Sequence, residues 1–109
     1  MIISGGENIY PAEVEAAIAE IAGVGDCAVT GVPDDRWGEV GMAFVIPRDG
    51  ARLDADAIRT RLDGRLARYK IPKYIEIAQE LPRTDTGKVQ RTELRKLASS
   101  RLAPEKEST

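Results

Sequence analysis

The sequence predicts an α+β fold, a small sheet of about three main strands packed with helices. Three observations lead there. The 109 residues suit one compact domain. Apolar residues recur at helical spacing in three stretches and form short strand-like runs between them. The resulting order is turn, helix, strand, strand, helix, strand, loop, helix.

The elements follow from local signals. Ile2 and Ile3 run into Ser4-Gly5-Gly6-Glu7-Asn8, a turn-rich stretch. Pro11 suits the first helical position, where a missing N–H costs nothing. Val14, Ala17, Ile18 and Ile21 then recur at helical spacing, and Glu13 and Glu15 favour the positive end of the helix dipole. Gly23 and Gly25 are expected to stop this helix. Asp26 to Val32 reads as a first strand and Gly41 to Ile46 as a second. The second is apolar on both faces, so it should be central and covered on each side. A polar connection, Pro33 to Glu39, carries the only Trp, Trp37.

Arg48-Asp49-Gly50 is a turn signal. Asp54 is the expected N-cap of a second helix, whose apolar stripe is Ile58, Leu62 and Leu66. Pro72 ends that region and biases Tyr69-Lys70-Ile71 toward an extended form. Tyr74 to Ile77 alternates like a third strand. Leu81 to Lys88 is a loop, and a last helix is expected from about Arg91 to Ala98. These readings give a domain over residues 1–98 and a frayed tail over 99–109.

Composition excludes several functions. Hydrophobic residues make up 42% of the chain and aromatic residues 5%, so the core should be aliphatic. The 16 basic and 18 acidic residues leave a net charge of -2. That balance argues against a nucleic-acid partner, which needs a basic surface to gain from counterion release. With no His and one Cys, Cys27, disulfide frameworks, common metal sites and His-based catalysis are all excluded. No apolar run reaches the ~20 residues of a membrane span. Met1-Ile2-Ile3 leads into glycines rather than into a signal peptide, and a reducing, cytoplasmic setting is expected.

Three segments could carry chemistry. Gly5-Gly6 leaves the backbone bare for close approach of a ligand, or simply forms a turn. Lys88, after Gly87 in a loop, could reach a phosphate or carboxylate, or simply be solvated. Arg68-Tyr69-Lys70 could stack on and pair with a nucleotide, or be a wet helix exit with Tyr69 packed inward. Trp37 has the same two readings.

Together these segments resemble a known family. Ser4 to Pro11 (SGGENIYP), Asp34 to Glu39 (DDRWGE), Tyr69 to Pro72 (YKIP) and Pro82 to Lys88 (PRTDTGK) stand in the order and spacing seen in adenylate-forming enzymes. Gly87 to Arg91 with Leu94 matches the family's closing segment. Over nearly all of Met1 to Leu97, the chain resembles the small C-terminal domain of an acyl-CoA synthetase.

The resemblance implies two half-reactions: a carboxylate and Mg-ATP form an acyl-adenylate and pyrophosphate, then the thiol of coenzyme A displaces AMP. ATP, Mg and the carboxylic acid substrate would be held mainly by a large N-terminal adenylation domain, the implied partner. The small domain would rotate to present different faces. Lys88 resembles the adenylation lysine, and its pattern also matches relatives silenced by a lysine acetyltransferase. Gly5 and Gly6 would border the pantetheine channel. Trp37, Tyr69 and Lys70 would contact the nucleotide end of CoA. Ile71 departs from the pattern where a base would pair the 3′-phosphate, so Lys70, Arg68 or Lys73 would substitute. Lys88 and Gly5-Gly6 should lie on well-separated faces.

The family's hinge residue would precede this chain, so the resemblance implies a fragment, an excised domain or a separate polypeptide, inactive alone as a ligase. The alternatives are the C-terminal subdomain of a peptide synthetase adenylation domain, whose acceptor is a carrier-protein thiol, and a plain interaction or dimerisation module.

Overall fold

The second expected strand organises the molecule. In a computed structural model, which describes residues 1–107 and their side chains through Leu102, Val40 to Val45 are all buried. They belong to β4 (Gly38–Pro47), which pairs antiparallel along its length with β3 (Val24–Asp34). The other edge of β4 is shared. β1 (Ile2–Ser4) meets it at Gly38, and β5 (Tyr74–Ile77) runs parallel to Met42–Val45. β2 (Glu7–Ile9) pairs with β1 and completes a five-stranded sheet.

Strand alternation sorts the core into two layers. Val29, Ala43 and Val45 pack with Val14 and Ile18 of α1 (Pro11–Ala19) and with Ile58 and Leu62 of α2 (Ala55–Leu62). Ala28, Val32, Val40, Met42 and Phe44 pack with Leu94 and Ala98 of α3 (Arg91–Glu107). Two helices therefore cover one face of the sheet and the third covers the other. Phe44, the single Phe, is fully buried at the centre of the α3 layer.

Among the described residues no strand pairs with the outer edge of β3, and side chains cap it at Val29. The Val29 N–H donates to Glu15 Oε2 at 2.8 Å, and Arg91 donates to the Val29 carbonyl at 3.1 Å. Glu15 and Arg91 also bond each other at 2.9 Å across that edge. Capping both polar groups of Val29 makes the middle of that edge a poorer template for another chain.

The expected strands correspond to β3, β4 and β5, and several boundaries move. The turn-rich start is a hairpin, β1–β2, with strands too short to register as alternation. Gly25 lies inside β3, and Gly23, at φ +93°, makes the turn after α1. Asp54 caps α2 as expected, accepting from the Ala57 N–H at 2.8 Å. Leu66 is outside α2, because the chain leaves the helix at Asp63 (ψ 124°) in a tight turn whose left-handed position is Gly64 at φ +93°, although Leu66 remains in the core. Arg68–Lys70 form a 3-10 turn, and only Ile71 is extended there. α3 continues past Ala98 to Glu107, with Leu97 and Leu102 also packed toward the sheet. Ser108 and Thr109 of the expected tail lie outside the described residues. Among the described residues no helix is long and apolar enough to cross a membrane.

Candidate functional site

The β1–β2 turn places bare backbone beside the single Trp. Gly5 and Gly6 form its two-residue loop with φ of +58° and +85°, the left-handed pattern of a type I′ turn. The Gly5 N–H donates to the Trp37 carbonyl at 2.9 Å. A Cβ on Gly5 would sit 2.7 Å from Trp37 Cε3, so only glycine lets the indole lie this close. Gly6 is different, since a Cβ there would meet nothing within 4 Å.

Asp34 organises the other wall. Its carboxylate accepts from the N–H groups of Arg36 at 3.0 Å and Trp37 at 2.9 Å, which folds the β3–β4 connection into an Asx turn. It also accepts from Lys73 Nζ at 2.8 Å. The Lys73 hydrogen bond, joined by the Trp37 and Arg36 N–H groups, holds the Asp34 carboxyl below its usual range. The same pairing raises the Lys73 ammonium above its usual value. One carboxylate thus ties Trp37 to the segment that follows the 3-10 turn.

These contacts shape a cleft of about 350 Å³ whose lining includes Gly5, Trp37, Arg68, Tyr69, Ile71 and Lys73. Its two aromatics keep their rings accessible, Trp37 at 45% and Tyr69 at 43% exposure. The Arg36 guanidinium lies 4.8 Å from the Trp37 ring centre. Gly41 is at the base, where a Cβ would come within 3.4 Å of Pro72 Cα. Two aromatic faces, two nearby cations and a strip of bare backbone can hold a flat heterocycle, a phosphate and a narrow chain, respectively.

The structure brings together Gly5, Trp37 and Tyr69, and sets Gly6 at the open tip of the turn. Lys70 does not line the cleft, although its ammonium lies 5.7 Å from the Tyr69 ring centre. Its ammonium pairs with Glu13 of α1 at 2.9 Å, and that hydrogen bond raises it above the usual lysine value. The bases lining the cleft are Arg68 and Lys73. Asp34 was missed by sequence reasoning, although an Asp opening a short polar connection is a recognisable Asx-turn signal.

Lys88 lies in a separate, self-bonded loop. The Thr84 N–H donates to the Lys88 carbonyl at 2.8 Å, Gly87 N–H to Thr84 O at 2.9 Å, and Gln90 N–H to Pro82 O at 2.9 Å. Gly87, at φ +88°, supplies the left-handed residue of this hairpin-like turn. Lys88 is exposed, and among the described residues no carboxylate lies within ion-pair distance of its ammonium. The loop is attached at Asp26 of β3, and the cleft at Asp34 of the same strand. Eight residues separate them (34 − 26), roughly 26 Å of extended chain. Lys88 and the Gly5–Trp37 cleft therefore belong to opposite ends of the central hairpin.

Among the described residues no group of three or more Cys, Asp or Glu side chains could hold a metal ion.

Comparison with known proteins bears on the family and the fold. The family described as "AMP-binding enzyme C-terminal domain" matches residues 13–88. A feruloyl-CoA synthase of Amycolatopsis is 56% identical over 96 residues, which is 88% of this chain and 20% of that protein. A Mycobacterium tuberculosis fatty acyl CoA synthetase superposes with a TM-score of 0.86 at 45% identity, over 92% of this chain and 20% of that one. ATP-bound MatB from Rhodopseudomonas palustris superposes with a TM-score of 0.85 at 40% identity, over 89% and 19%. The chain spans about one fifth of the length of the relatives it matches. With its motifs in register and its fold shared across nearly the whole chain, it belongs to the AMP-binding enzyme C-terminal domain family.

Proposed function

We propose that this chain is the mobile C-terminal domain of an acyl-CoA synthetase, which converts a carboxylic acid, ATP and CoA into acyl-CoA, AMP and pyrophosphate. The observation that carries the reading is the separation of two chemically different ends. An exposed lysine with no carboxylate in ion-pair distance among the described residues sits at one, and an aromatic cleft bordered by bare backbone sits at the other. Adenylation needs positive charge where a carboxylate meets the α-phosphate, and Lys88 supplies it. Thioester formation needs an extended pantetheine chain beside the adenylate, and the bare backbone of the Gly5-Gly6 turn borders it, with open space beside Gly6. One fixed wall cannot serve both steps, so the domain turns between them.

In this reading Trp37 and Tyr69 bracket the adenine of CoA, and Arg68 and Lys73 pair its phosphates. Lys70, paired with Glu13, lies with its ammonium 5.7 Å from the Tyr69 ring centre and supports that ring. The cognate large domain holds ATP with its Mg and selects the acid, so the 109 residues alone form no thioester. Acetylation of Lys88 by a lysine acetyltransferase removes the charge the first step uses. The lone Cys27 fits a cytoplasmic setting.

The test joins this chain to the large portion of the Amycolatopsis feruloyl-CoA synthase in place of that protein's own C-terminal domain. Lys88→Ala should lower ATP–pyrophosphate exchange by ~10²–10³. It should spare thioester formation from preformed acyl-adenylate. Trp37→Ala and Tyr69→Ala should raise the KM for CoA and leave exchange intact. Normal exchange by Lys88→Ala would remove the adenylation role. CoA kinetics unchanged in both aromatic variants would remove the cleft assignment.

A further inference from the structure

An exposed lysine on a loop is a poor catalytic group unless something fixes its backbone. Residues 83–88 bond mainly to one another. Among the described residues, only the Arg83 side chain ties them to the sheet by hydrogen bonds. Its Nη2 donates to Asp26 Oδ1 at 2.7 Å and Oδ2 at 2.6 Å, and its Nε donates to Oδ2 at 3.2 Å. The same guanidinium donates from Nη1 to the Gly87 carbonyl at 2.5 Å. That carbonyl belongs to the peptide bond joining Gly87 to Lys88.

Asp26 is itself well held. It lies in β3 just past an irregularity between Val24 and Asp26, and its Oδ1 accepts from the Cys27 N–H at 2.8 Å. A rigid strand therefore grips a guanidinium, and the guanidinium grips the peptide next to Lys88. Arg suits this use because its planar fork serves the carboxylate and the carbonyl together, whereas a Lys offers one point charge.

We propose that Asp26 and Arg83 are positioning residues for Lys88, a clamp that fixes the hairpin to the sheet for the adenylation step. The proposal rests on the adenylation role of Lys88 given above. Without the clamp the internal bonds of the hairpin, including those donated by the Gly87 and Lys88 amides, open more often, and the hairpin pivots about its two stems, near Leu81 and Val89. A misplacement of ~1 Å at a reacting group commonly lowers the rate by ~10²-fold.

Two measurements test it with Asp26→Asn and Arg83→Lys. In the 109-residue chain, amide hydrogen exchange at Gly87 and Lys88 should quicken at least ~10-fold in both variants. Trp37 fluorescence, at the far end of β3, should not change, which separates loosening of the hairpin from misfolding. In the fused ligase, the turnover of pyrophosphate exchange should fall ~10- to 100-fold. Thioester formation from preformed acyl-adenylate and the KM for CoA should stay within about twofold of the parent. The double variant should be no slower than the slower single one, since both remove one linkage.

Unchanged exchange at Gly87 and Lys88 overturns the clamp. So does full adenylation turnover in both variants when Lys88→Ala abolishes it. If Lys88→Ala itself retains turnover, the catalytic assignment fails instead, and amide exchange still reports whether Asp26 orders the hairpin.

Discussion

Replacing Gly5 by alanine probes the cleft most directly, because two separate physical effects can be read apart. The first is backbone strain. At φ +58° a residue bearing a Cβ is disfavoured by about 1–2 kcal/mol. Restricting the unfolded chain returns about 0.4–1 kcal/mol of this. The net loss is of order 1 kcal/mol, or about 4–8 °C in Tm for a domain near this size. Gly6→Ala, at φ +85°, carries a similar strain.

The second effect belongs to Gly5 alone. Its new Cβ would lie 2.7 Å from Trp37 Cε3, against 3.4 Å for the near limit of ordinary contact. The ring must retreat by at least 0.7 Å (3.4 − 2.7). At 45% exposure it can swing outward rather than unfold the domain. Trp37 is the only Trp, so its emission reports this site alone. Both variants should lose similar stability in urea titration. Only Gly5→Ala should shift Trp37 emission to the red and increase its quenching by acrylamide. Identical emission and quenching in the two variants would refute the packing argument for the Gly5 wall.

Other expectations follow from the same contacts. The Asp34 carboxyl ionises below its ordinary 3.8 in the folded chain, so its contribution to stability is present above that pH and disappears as pH falls through the lower folded value. The difference in urea midpoint between the parent and Asp34→Asn should therefore be largest near neutrality and shrink in acid; a difference independent of pH would contradict the Lys73 pairing. Burial, with Glu15 and Asp26 nearby, pushes the Cys27 thiol from 9.0 up to about 11. At pH 8 its thiolate fraction should be ~100-fold lower than in the unfolded chain, so iodoacetamide should react slowly until urea is added. Because the unfolded thiol ionises first, Cys27 should also lower stability as pH rises from 9.0 toward 11. Leu94→Ala should cost ~2–5 kcal/mol, since Leu94 is fully buried in the α3 layer; a urea-measured loss under about 1 kcal/mol would show that α3 adds little to the core.

Elements with strong local signals were legible in the chain. Pro11 at the start of α1 and Asp54 at the cap of α2 act on the few residues beside them, and each starts its helix where the signal lies. The apolar run of β4 encodes its central place because both faces must be covered. The misses share a cause. β1 and β2 have three residues each and persist because Ile2 and Ile9 are buried against the sheet, a partner no short window reveals. The stripe ending at Leu66 looks helical, yet a tight turn through Asp63 and Gly64 ends the helix and the core still takes Leu66 from beyond it. The Asp54 cap bonds within three residues of itself, whereas the β1–β2 hairpin depends on a strand 34 positions away (38 − 4).

The candidate site divides in the same way. The sequence by itself determined which residues carry chemical capacity: an accessible lysine after Gly87, adjacent glycines, a lone Trp, and a Tyr among bases. Motif spacing and residue type express those properties without a fold. Only the tertiary structure decided how they are grouped. It seats Trp37 on Gly5 across 32 positions (37 − 5), turns Lys70 toward Glu13, and brings Arg68 and Lys73 to the cleft. It also sets the Lys88 loop at the far end of β3, where Arg83 donates to both Asp26 and the Gly87 carbonyl. Such groupings depend on strand register and on which partner neutralises each charge, and both are settled by packing between segments far apart in the chain.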